Sequence, residues 1–350
     1  MGAHLTPASS RRPRRFLRLL ALAGRIAGVL VLFLLVAGAI YQWTATAREA
    51  RLYPPPGRLV DVGGHRLHID CIGQGSPTVI FDAGLGDSSV TWDLVQPDVA
   101  KFTRACTYDR AGLGWSELAD GPRTSEKIVA ELEVLLSRSD VAPPYVLVGH
   151  SFGGMNQRLY AFRHLDQVTG IVFVDSSHPD QVNRFPRSIS PESIMGHMDV
   201  GVWTTPFGGP RLLHWCRNDY TFPNAPSAWD QFAPAAIALD CKETNWRAAR
   251  AEEASFRESG REVAKATSLG NLPLVVLSHD PDLGAGFPPA IASQAEAAWS
   301  EMQEELRTLS SNGKRIIAKR SSHYVEVYRP ELVIGAIREI VKSSPSSPSL

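Results

Sequence analysis

The sequence predicts an α/β fold in which a mostly parallel sheet is covered by helices on both faces. Short, continuous apolar runs bounded by turn residues alternate along the chain with segments of helical periodicity. Such runs are expected for parallel strands that are buried on both faces. One of them, at residues 145–148, leads through a Gly-x-Ser-x-Gly motif into a helix-compatible segment. A strand, a sharp turn and a helix are the structural context of that motif.

The elements are predicted in chain order from these patterns. Gly63-Gly64 separates two alternating stretches and predicts a β-hairpin. Including its two arms, the predicted strands lie at residues 58–62, 65–71, 78–81, 105–108, 145–148, 170–175, 272–278 and 314–319. The predicted helices, with apolar residues at helical spacing, lie at residues 92–100, 124–139, 155–164, 288–310 and 330–341. The sheet is therefore expected to have eight strands.

Residues 176–271 interrupt the alternation of strands and helices. The segment is rich in Pro, Trp and Phe at first and becomes a charged helical stretch at residues 242–265. We therefore predict a helical insertion into a core formed by residues 58–175 and 272–342. Residues 343–350, rich in Ser and Pro, are predicted to be a disordered tail.

The chain has 350 residues, of which 44% are hydrophobic, so it is long enough to bury a full core. The 36 basic and 36 acidic residues balance, but their distribution is uneven. No acidic residue precedes Glu49, whereas arginines cluster within residues 1–25. Without that segment the remaining body is acidic overall. Nothing indicates a nucleic-acid surface, which would need a basic patch on the folded body.

Residues 26–43 form an uncharged apolar run of the length that a membrane-spanning helix requires. The arginines before it predict a cytoplasmic N-terminus, and Tyr41 and Trp43 suit the opposite membrane interface. We therefore predict a single-pass anchor, a linker at residues 44–57 and an extracytoplasmic body. The alternative is a secreted protein, since Ala45-Thr46-Ala47 fits a signal-peptide cleavage site.

The four cysteines are an even number in a chain that is predicted to be exported, so disulfides are allowed. No C-x-x-C or histidine-rich spacing indicates a metal site. Neither a metal nor a cofactor is expected.

Ser151 is the predicted nucleophile, and it needs a base and a group that orients the base. In the chain order Ser, Asp or Glu, His, the base is His323, which follows the last predicted strand. Asp282 is the preferred acid because it lies in the loop after the strand at residues 272–278, with Asp280 as the alternate. Asp175, at the end of the preceding strand, is the third candidate.

A tetrahedral oxyanion needs two backbone N–H donors. Phe152, directly after the nucleophile, is predicted to supply one of them. The other is assigned to Leu85, in the glycine-containing loop that follows the strand at residues 78–81.

These features together resemble the α/β-hydrolase fold superfamily over about residues 57–342. The resemblance rests on Asp82-Ala83-Gly84-Leu85-Gly86, Tyr108-Asp109-Arg110-Ala111-Gly112-Leu113-Gly114-Trp115-Ser116, Gly149-His150-Ser151-Phe152-Gly153-Gly154, the loop at 280–282, and Ser322-His323-Tyr324 with Pro330 downstream. The resemblance implies the strand order 1-2-4-3-5-6-7-8. It also implies a lid between strands six and seven, where residues 176–271 fall. The sequence departs from the family at Ala83-Gly84, where a His-Gly pair is usual.

The implied strand order places strand two, which carries Cys71, beside strand four, which carries Cys106. A disulfide between these two cysteines is therefore expected. A second disulfide between Cys216 and Cys241 would lie within the lid.

The resemblance implies a serine hydrolase that cleaves carboxylic esters through an acyl-enzyme on Ser151. An aspartate nucleophile, as in dehalogenases and epoxide hydrolases, is not present at this position. The apolar lid residues predict a small-molecule ester with an apolar acyl or alcohol part. These residues are Trp203, Phe207, Leu212, Leu213, Trp215 and Phe222.

Three alternatives to an esterase stay open. An aminopeptidase or amidase would need carboxylates in the lid, where Glu252, Glu253 and Glu258 are available but are interpreted as a solvated helix face. An acyltransferase or a haloperoxidase-like enzyme would use the same triad. A non-catalytic binding module of the same fold is the alternative from another class.

Overall fold

The computed structural model describes residues 12–186, 191–283 and 291–344, and its centre is one eight-stranded sheet. The strands follow the order β1-β2-β4-β3-β5-β6-β7-β8. β1 and β2 pair antiparallel with their neighbours, and all other pairs are parallel. The predicted fold class and the implied strand order are both confirmed.

The strands match the predicted apolar runs closely. They are β1 (Arg58–Asp61), β2 (Arg66–Ile72), β3 (Thr78–Asp82), β4 (Ala105–Tyr108), β5 (Tyr145–His150), β6 (Val168–Val174), β7 (Leu274–Ser278) and β8 (Gly313–Ile317). Alternate residues of the central strands face opposite sides of the sheet, and both sides are apolar cores. In β5, for example, Leu147 packs into one core while Val146 and Val148 pack into the other.

Helices cover both faces of the sheet and fill the connection between β6 and β7. They are α1 (Arg12–Leu52), α2 (Gln96–Val99), α3 (Ser125–Arg138), α4 (Phe152–Arg163), α5 (Gln181–Arg184), α6 (Pro191–Thr204), α7 (Gly209–Leu212), α8 (Trp215–Asp219), α9 (Ala233–Asp240), α10 (Glu243–Val263), α11 (Ala292–Arg307), α12 (Val325–Tyr328) and α13 (Pro330–Ser343). Helices α5 to α10 form the connection that we call the insertion.

The helix predicted at residues 92–100 is broken in the structure. A 3-10 turn at Ser89–Trp92 is followed by the short α2. Pro97 explains the break, since proline lacks the N–H that a continuous helix would need there and is accommodated only in a first turn. The predicted start of a helix at Pro288 lies outside the described residues, and that helix is described from Ala292.

The N-terminal helix is longer than the sequence predicted. Residues 44–52, expected to be part of a linker, continue α1 without interruption. Alanine, arginine and glutamate favour the helix in this stretch. In addition, Arg211 of the insertion donates to the Glu49 carboxylate at 2.5 and 2.6 Å. Over Phe16–Leu52, α1 is long and apolar enough to cross a membrane.

Both expected disulfides are present. Cys71 and Cys106 face each other in the antiparallel pair of β2 and β4, and their sulfur atoms are bonded. Cys216 in α8 is bonded to Cys241 at the end of α9. The first disulfide therefore lies in the sheet and the second within the insertion.

Candidate active site

Four polar residues lie at the carboxyl edge of the sheet. Ser151, Asp175 and His279 directly follow the neighbouring strands β5, β6 and β7, and His323 lies in the loop after β8. Parallel strands end at one edge, so adjacent strands bring these residues together although they are far apart in sequence.

Ser151 occupies a sharp turn between β5 and α4. Its backbone has φ 47° and ψ −119°, which side-chain-bearing residues rarely adopt. Its N–H donates to the Val174 carbonyl at 3.1 Å, and its Oγ lies 3.4 Å from Ser177 Oγ. A Cβ at Gly153 would lie 2.4 Å from the Asp82 carbonyl oxygen, so only glycine permits this close approach.

His323 is positioned by Asp175. The Nδ1 of His323 lies 2.6 Å from Asp175 Oδ2, and the Asp175 carboxylate is fully buried. The His323 ring also packs against His150, the residue before Ser151, with 4.7 Å between the ring centroids. His323 therefore lies next to the turn that carries Ser151, with its Nδ1 held by a carboxylate.

This contact does not involve Asp282, the acid preferred from the sequence. The Asp282 side chain is 85% exposed and faces Lys319, with 3.4 Å between Oδ2 and Nζ. The alternate, Asp280, accepts hydrogen bonds from Lys319 Nζ and Arg320 N, both at 2.9 Å. Asp280 thus ties the β7 loop to the loop that carries His323. The third candidate, Asp175, is the one of the three that contacts His323, and it follows β6, the neighbour of β5.

Asp175 has two further partners that the sequence analysis did not identify. His279 approaches Asp175 Oδ2 with Nδ1 at 2.8 Å and donates its backbone N–H to Oδ1 at 3.0 Å. The Trp299 indole donates to Oδ1 at 2.9 Å. Burial alone would raise the pKa of Asp175, but the charges and hydrogen bonds of His279 and His323 outweigh it and lower the pKa well below the usual value. Asp175 is therefore a carboxylate.

His279 lies between two carboxylates. Its other ring nitrogen, Nε2, is 2.7 Å from Glu296 Oε2. Since carboxylates only accept hydrogen bonds, each ring nitrogen carries a proton. Burial lowers the pKa of His279, but Asp175 and Glu296 outweigh it and raise the pKa to about 9.

The loop that carries Leu85 is held by buried charges. Arg110 donates to the carbonyl oxygens of Ala83 and Gly84 at 2.7 and 2.6 Å. Gly86 N donates to Glu252 Oε2 at 3.0 Å. Within the described part of the chain, Leu85 N donates to no protein acceptor.

The amide of Phe152 lies at the first position of α4. The N–H groups of a first helical turn have no acceptor within their own helix, and Phe152 directly follows Ser151. The backbone of Gly153 touches the strand end that begins the Leu85 loop, as its close approach to Asp82 shows. The two assigned donors thus belong to segments in direct contact.

Glu252 is not part of a solvated helix face, contrary to the sequence-based interpretation. It is fully buried and pairs with Arg110 at 2.6 Å, while Arg110 also pairs with Asp82 at 2.6 Å. Glu253 is buried as well. Only Glu258 is exposed as interpreted, and it accepts from Arg261 at 2.8 Å.

Asp87 is a further buried carboxylate that the sequence did not single out. Its Oδ1 accepts from Tyr220 of the insertion at 3.0 Å and from Tyr324, the neighbour of His323, at 3.3 Å. Burial, partly opposed by these hydrogen bonds, raises the pKa of Asp87 to about 6. Asp87 therefore connects the insertion to the loop that carries His323.

Among the residues that the structure describes, no group of three or more His, Cys, Asp or Glu side chains is arranged so that it could hold a metal ion. The polar groups at the sheet edge instead bring a serine, a histidine and a buried carboxylate to one place, with the carboxylate in contact with the histidine.

Comparison with protein families gives a match to the alpha/beta hydrolase family over residues 79–336. An "Uncharacterized protein YqjL" of Bacillus subtilis (strain 168) is 28% identical over 77% of this chain and 85% of its own length. An "AB hydrolase superfamily protein" of Gibberella zeae is 26% identical over 76% of this chain and 86% of its own length.

Solved structures with similar folds include hydrolases. A thermophilic esterase from Thermogutta terrifontis has a TM-score of 0.60 at 19% identity, covering 82% of this chain and 98% of its own. The enol-lactonase from Burkholderia xenovorans LB400 has a TM-score of 0.59 at 18% identity, covering 82% of this chain and all of its own. At these identities the likeness concerns the fold.

Proposed function

Because this chain belongs to the alpha/beta hydrolase family, we propose that it is a serine hydrolase that cleaves carboxylic esters. The observation that carries the proposal is the 2.6 Å contact between His323 Nδ1 and Asp175, beside the strained turn of Ser151. A strained nucleophile position and a histidine with one nitrogen fixed by a carboxylate are what acyl transfer to serine requires.

The proposed mechanism assigns a role to each group. Asp175 accepts the Nδ1–H of His323, which leaves Nε2 free to take the proton of Ser151 as its oxygen attacks the ester carbonyl. The N–H groups of Leu85 and Phe152 bind the oxyanion. His323 then gives the proton to the leaving alcohol, and a water activated by His323 releases the acyl group from Ser151.

His279 has a positioning role in this mechanism. Its Nδ1 contacts Asp175 Oδ2, the same carboxylate oxygen that His323 contacts, and Glu296 in turn holds His279. The imidazolium is present below about pH 9 and loses its proton as the pH rises through that value. One of its two hydrogen bonds to a carboxylate is then lost.

We expect His279→Gln to lower kcat about tenfold with KM nearly unchanged, because it removes a charged hydrogen bond from Asp175 without touching substrate. The wild-type kcat should fall as the pH rises through about 9, in step with the pKa of His279. Background-corrected pH–rate profiles of both proteins test this. An alkaline limb near pH 9 that persists unchanged in His279→Gln would contradict the role.

Ester cleavage is favoured over aminopeptidase activity by the carboxylates of the insertion. A substrate amine would need a carboxylate that is free to bind it. Glu252 is committed to Arg110 and to Gly86 N. Glu258, which pairs with Arg261, lies on an exposed face.

We further propose that α1 anchors the enzyme in a membrane with a cytoplasmic N-terminus and an extracytoplasmic body. The packing of its C-terminal part favours an uncleaved anchor over a secreted protein. Gln42 donates to the Cys241 carbonyl oxygen at 2.9 Å, and Arg211 binds both Gln42 and Glu49. Cleavage near residues 45–47 would separate Gln42 from these partners.

A fluorophosphonate probe tests the proposed nucleophile. We expect the wild-type chain to be labelled and Ser151→Ala not to be labelled, since only an activated serine reacts. Ser177→Ala is the matched control, because Ser177 Oγ lies only 3.4 Å from Ser151 Oγ but lacks the turn geometry. Labelling that is lost in Ser177→Ala and kept in Ser151→Ala, or absent from wild type, would contradict the proposal. Absence from wild type would favour a binding module.

A further inference from the structure

The insertion carries a group of large apolar side chains that are exposed. They are Val200, Trp203, Phe207, Leu212 and Leu213, with exposed fractions between 39% and 78%. They lie on α6, on the turn between α6 and α7, on α7 and directly after α7. The sequence analysis assigned four of them to a substrate pocket, but their side chains face away from the protein core. We call them the apolar patch.

The apolar patch adjoins the point where α1 meets the insertion. From Phe16 to Ala37 every residue of α1 is exposed, whereas Gly38 and Ala39 are partly covered. A Cβ at Gly38 would lie 2.4 Å from the Phe207 carbonyl oxygen, and the Tyr41 ring lies against Gly208. The insertion therefore first touches the anchor at Gly38.

The depth of this contact in a membrane follows from the length of the anchor. A hydrocarbon core of about 30 Å takes about 20 helical residues. Measured from Ile26, which follows the last arginine, such a core ends near Ala45. Gly38 and Tyr41 are thus within the core or at its outer boundary, and so is Phe207 of the apolar patch, which lies against Gly38.

Polar groups lie next along α1, on the headgroup side of this level. Arg211 donates to Gln42 Oε1 at 2.9 Å and to the Glu49 carboxylate. Gln42, Thr46 and Glu49 lie about one turn apart along α1. The change from the apolar patch to this charged group matches the boundary between hydrocarbon and headgroups.

We propose that the apolar patch inserts into the outer leaflet and that the enzyme takes an amphiphilic, long-chain ester from the bilayer. This inference rests on the proposed ester hydrolysis and on the proposed anchor. The same insertion contacts the catalytic loops through Tyr220 on Asp87 and Glu252 on Gly86 N. The route that we propose for the substrate therefore runs from the bilayer along the insertion to the site. Exposed tryptophan and leucine beside a membrane helix are the side chains that bind such an interface.

The test uses the full chain reconstituted in phosphatidylcholine vesicles and two nitrophenyl esters. The palmitoyl ester partitions into the bilayer, and the acetyl ester dissolves in water. We expect the triple variant Trp203→Gln/Leu212→Gln/Leu213→Gln to lose about tenfold or more in rate on the palmitoyl ester and to keep its rate on the acetyl ester. Leu165→Gln is the control, because Leu165 is 44% exposed and precedes β6, at the opposite edge of the sheet.

A second measurement detects the membrane contact without catalysis. Lipids brominated near the headgroup should quench wild-type fluorescence more than that of Trp203→Phe, because Trp203 is 78% exposed on the apolar patch. Equal quenching in the two proteins, or a triple variant as active as Leu165→Gln on the palmitoyl ester, would overturn the proposal. If neither ester is cleaved by wild type, the ester hydrolysis is contradicted, and the quenching decides the membrane contact.

Discussion

Asp175→Asn should lower kcat by about three to four orders of magnitude. The asparagine keeps the size of the side chain but removes the charge that His323 and His279 face at 2.6 and 2.8 Å. His323 then loses its fixed tautomer, and the imidazolium that forms during attack loses its stabilising partner. Ester hydrolysis under steady-state conditions measures the loss, and circular dichroism checks that the variant is folded.

Asp282→Asn is the matched control for this prediction. Asp282 also lies in the chain order Ser, Asp, His, but it is 85% exposed and contacts Lys319. Its replacement should leave kcat within about twofold of wild type, as expected for a surface position. The opposite result, a large loss in Asp282→Asn with an active Asp175→Asn, would show that the acid is the one first chosen from the sequence.

The largest expected effect on stability belongs to Arg110→Met. The methionine leaves the Asp82 and Glu252 carboxylates buried without their cation, and two carbonyl oxygens of the Leu85 loop lose their donor. Breaking a buried pair in this way costs about 3–5 kcal/mol of unfolding free energy. The midpoint of urea unfolding, measured on the full chain in detergent, should fall accordingly.

Arg66→Met removes an arginine of the same kind from an exposed pair. Arg66 and Glu117 are 53% and 41% exposed, so water screens their pair and its loss should shift the urea midpoint little. Similar urea midpoints for Arg110→Met and Arg66→Met would contradict the structural role that we assign to Arg110.

The sequence predicted the sheet and the positions of Ser151 and His323 because each depends on local signals. The apolar runs are local, the strand–turn–helix motif is local, and the base follows the last strand. The acid depends instead on which strand end lies beside the nucleophile. Asp175, Asp280 and Asp282 all satisfy the chain order, so only the contact to His323 distinguishes them.

Two other features were misjudged because tertiary contacts decide them. Glu252 lies in a charged helix whose sequence is typical of a solvated surface. Its burial is possible because it pairs with Arg110, more than a hundred residues earlier in the chain. Residues 44–52 were predicted to belong to a linker because the apolar run at residues 26–43 ends before them. Their helix is stabilised by Arg211 of the insertion, which the local sequence does not indicate.

The measurement that tests the proposed function most directly is the site of the covalent intermediate. The full chain is mixed with a nitrophenyl ester, quenched in acid during turnover and analysed by peptide mass spectrometry. We predict an added acyl group on the peptide that contains Ser151, at the hydroxyl of that serine, and no such adduct in Ser151→Ala. Ester turnover with the acyl group on Ser177, or with no acyl adduct at any serine, would contradict the acyl-enzyme at Ser151.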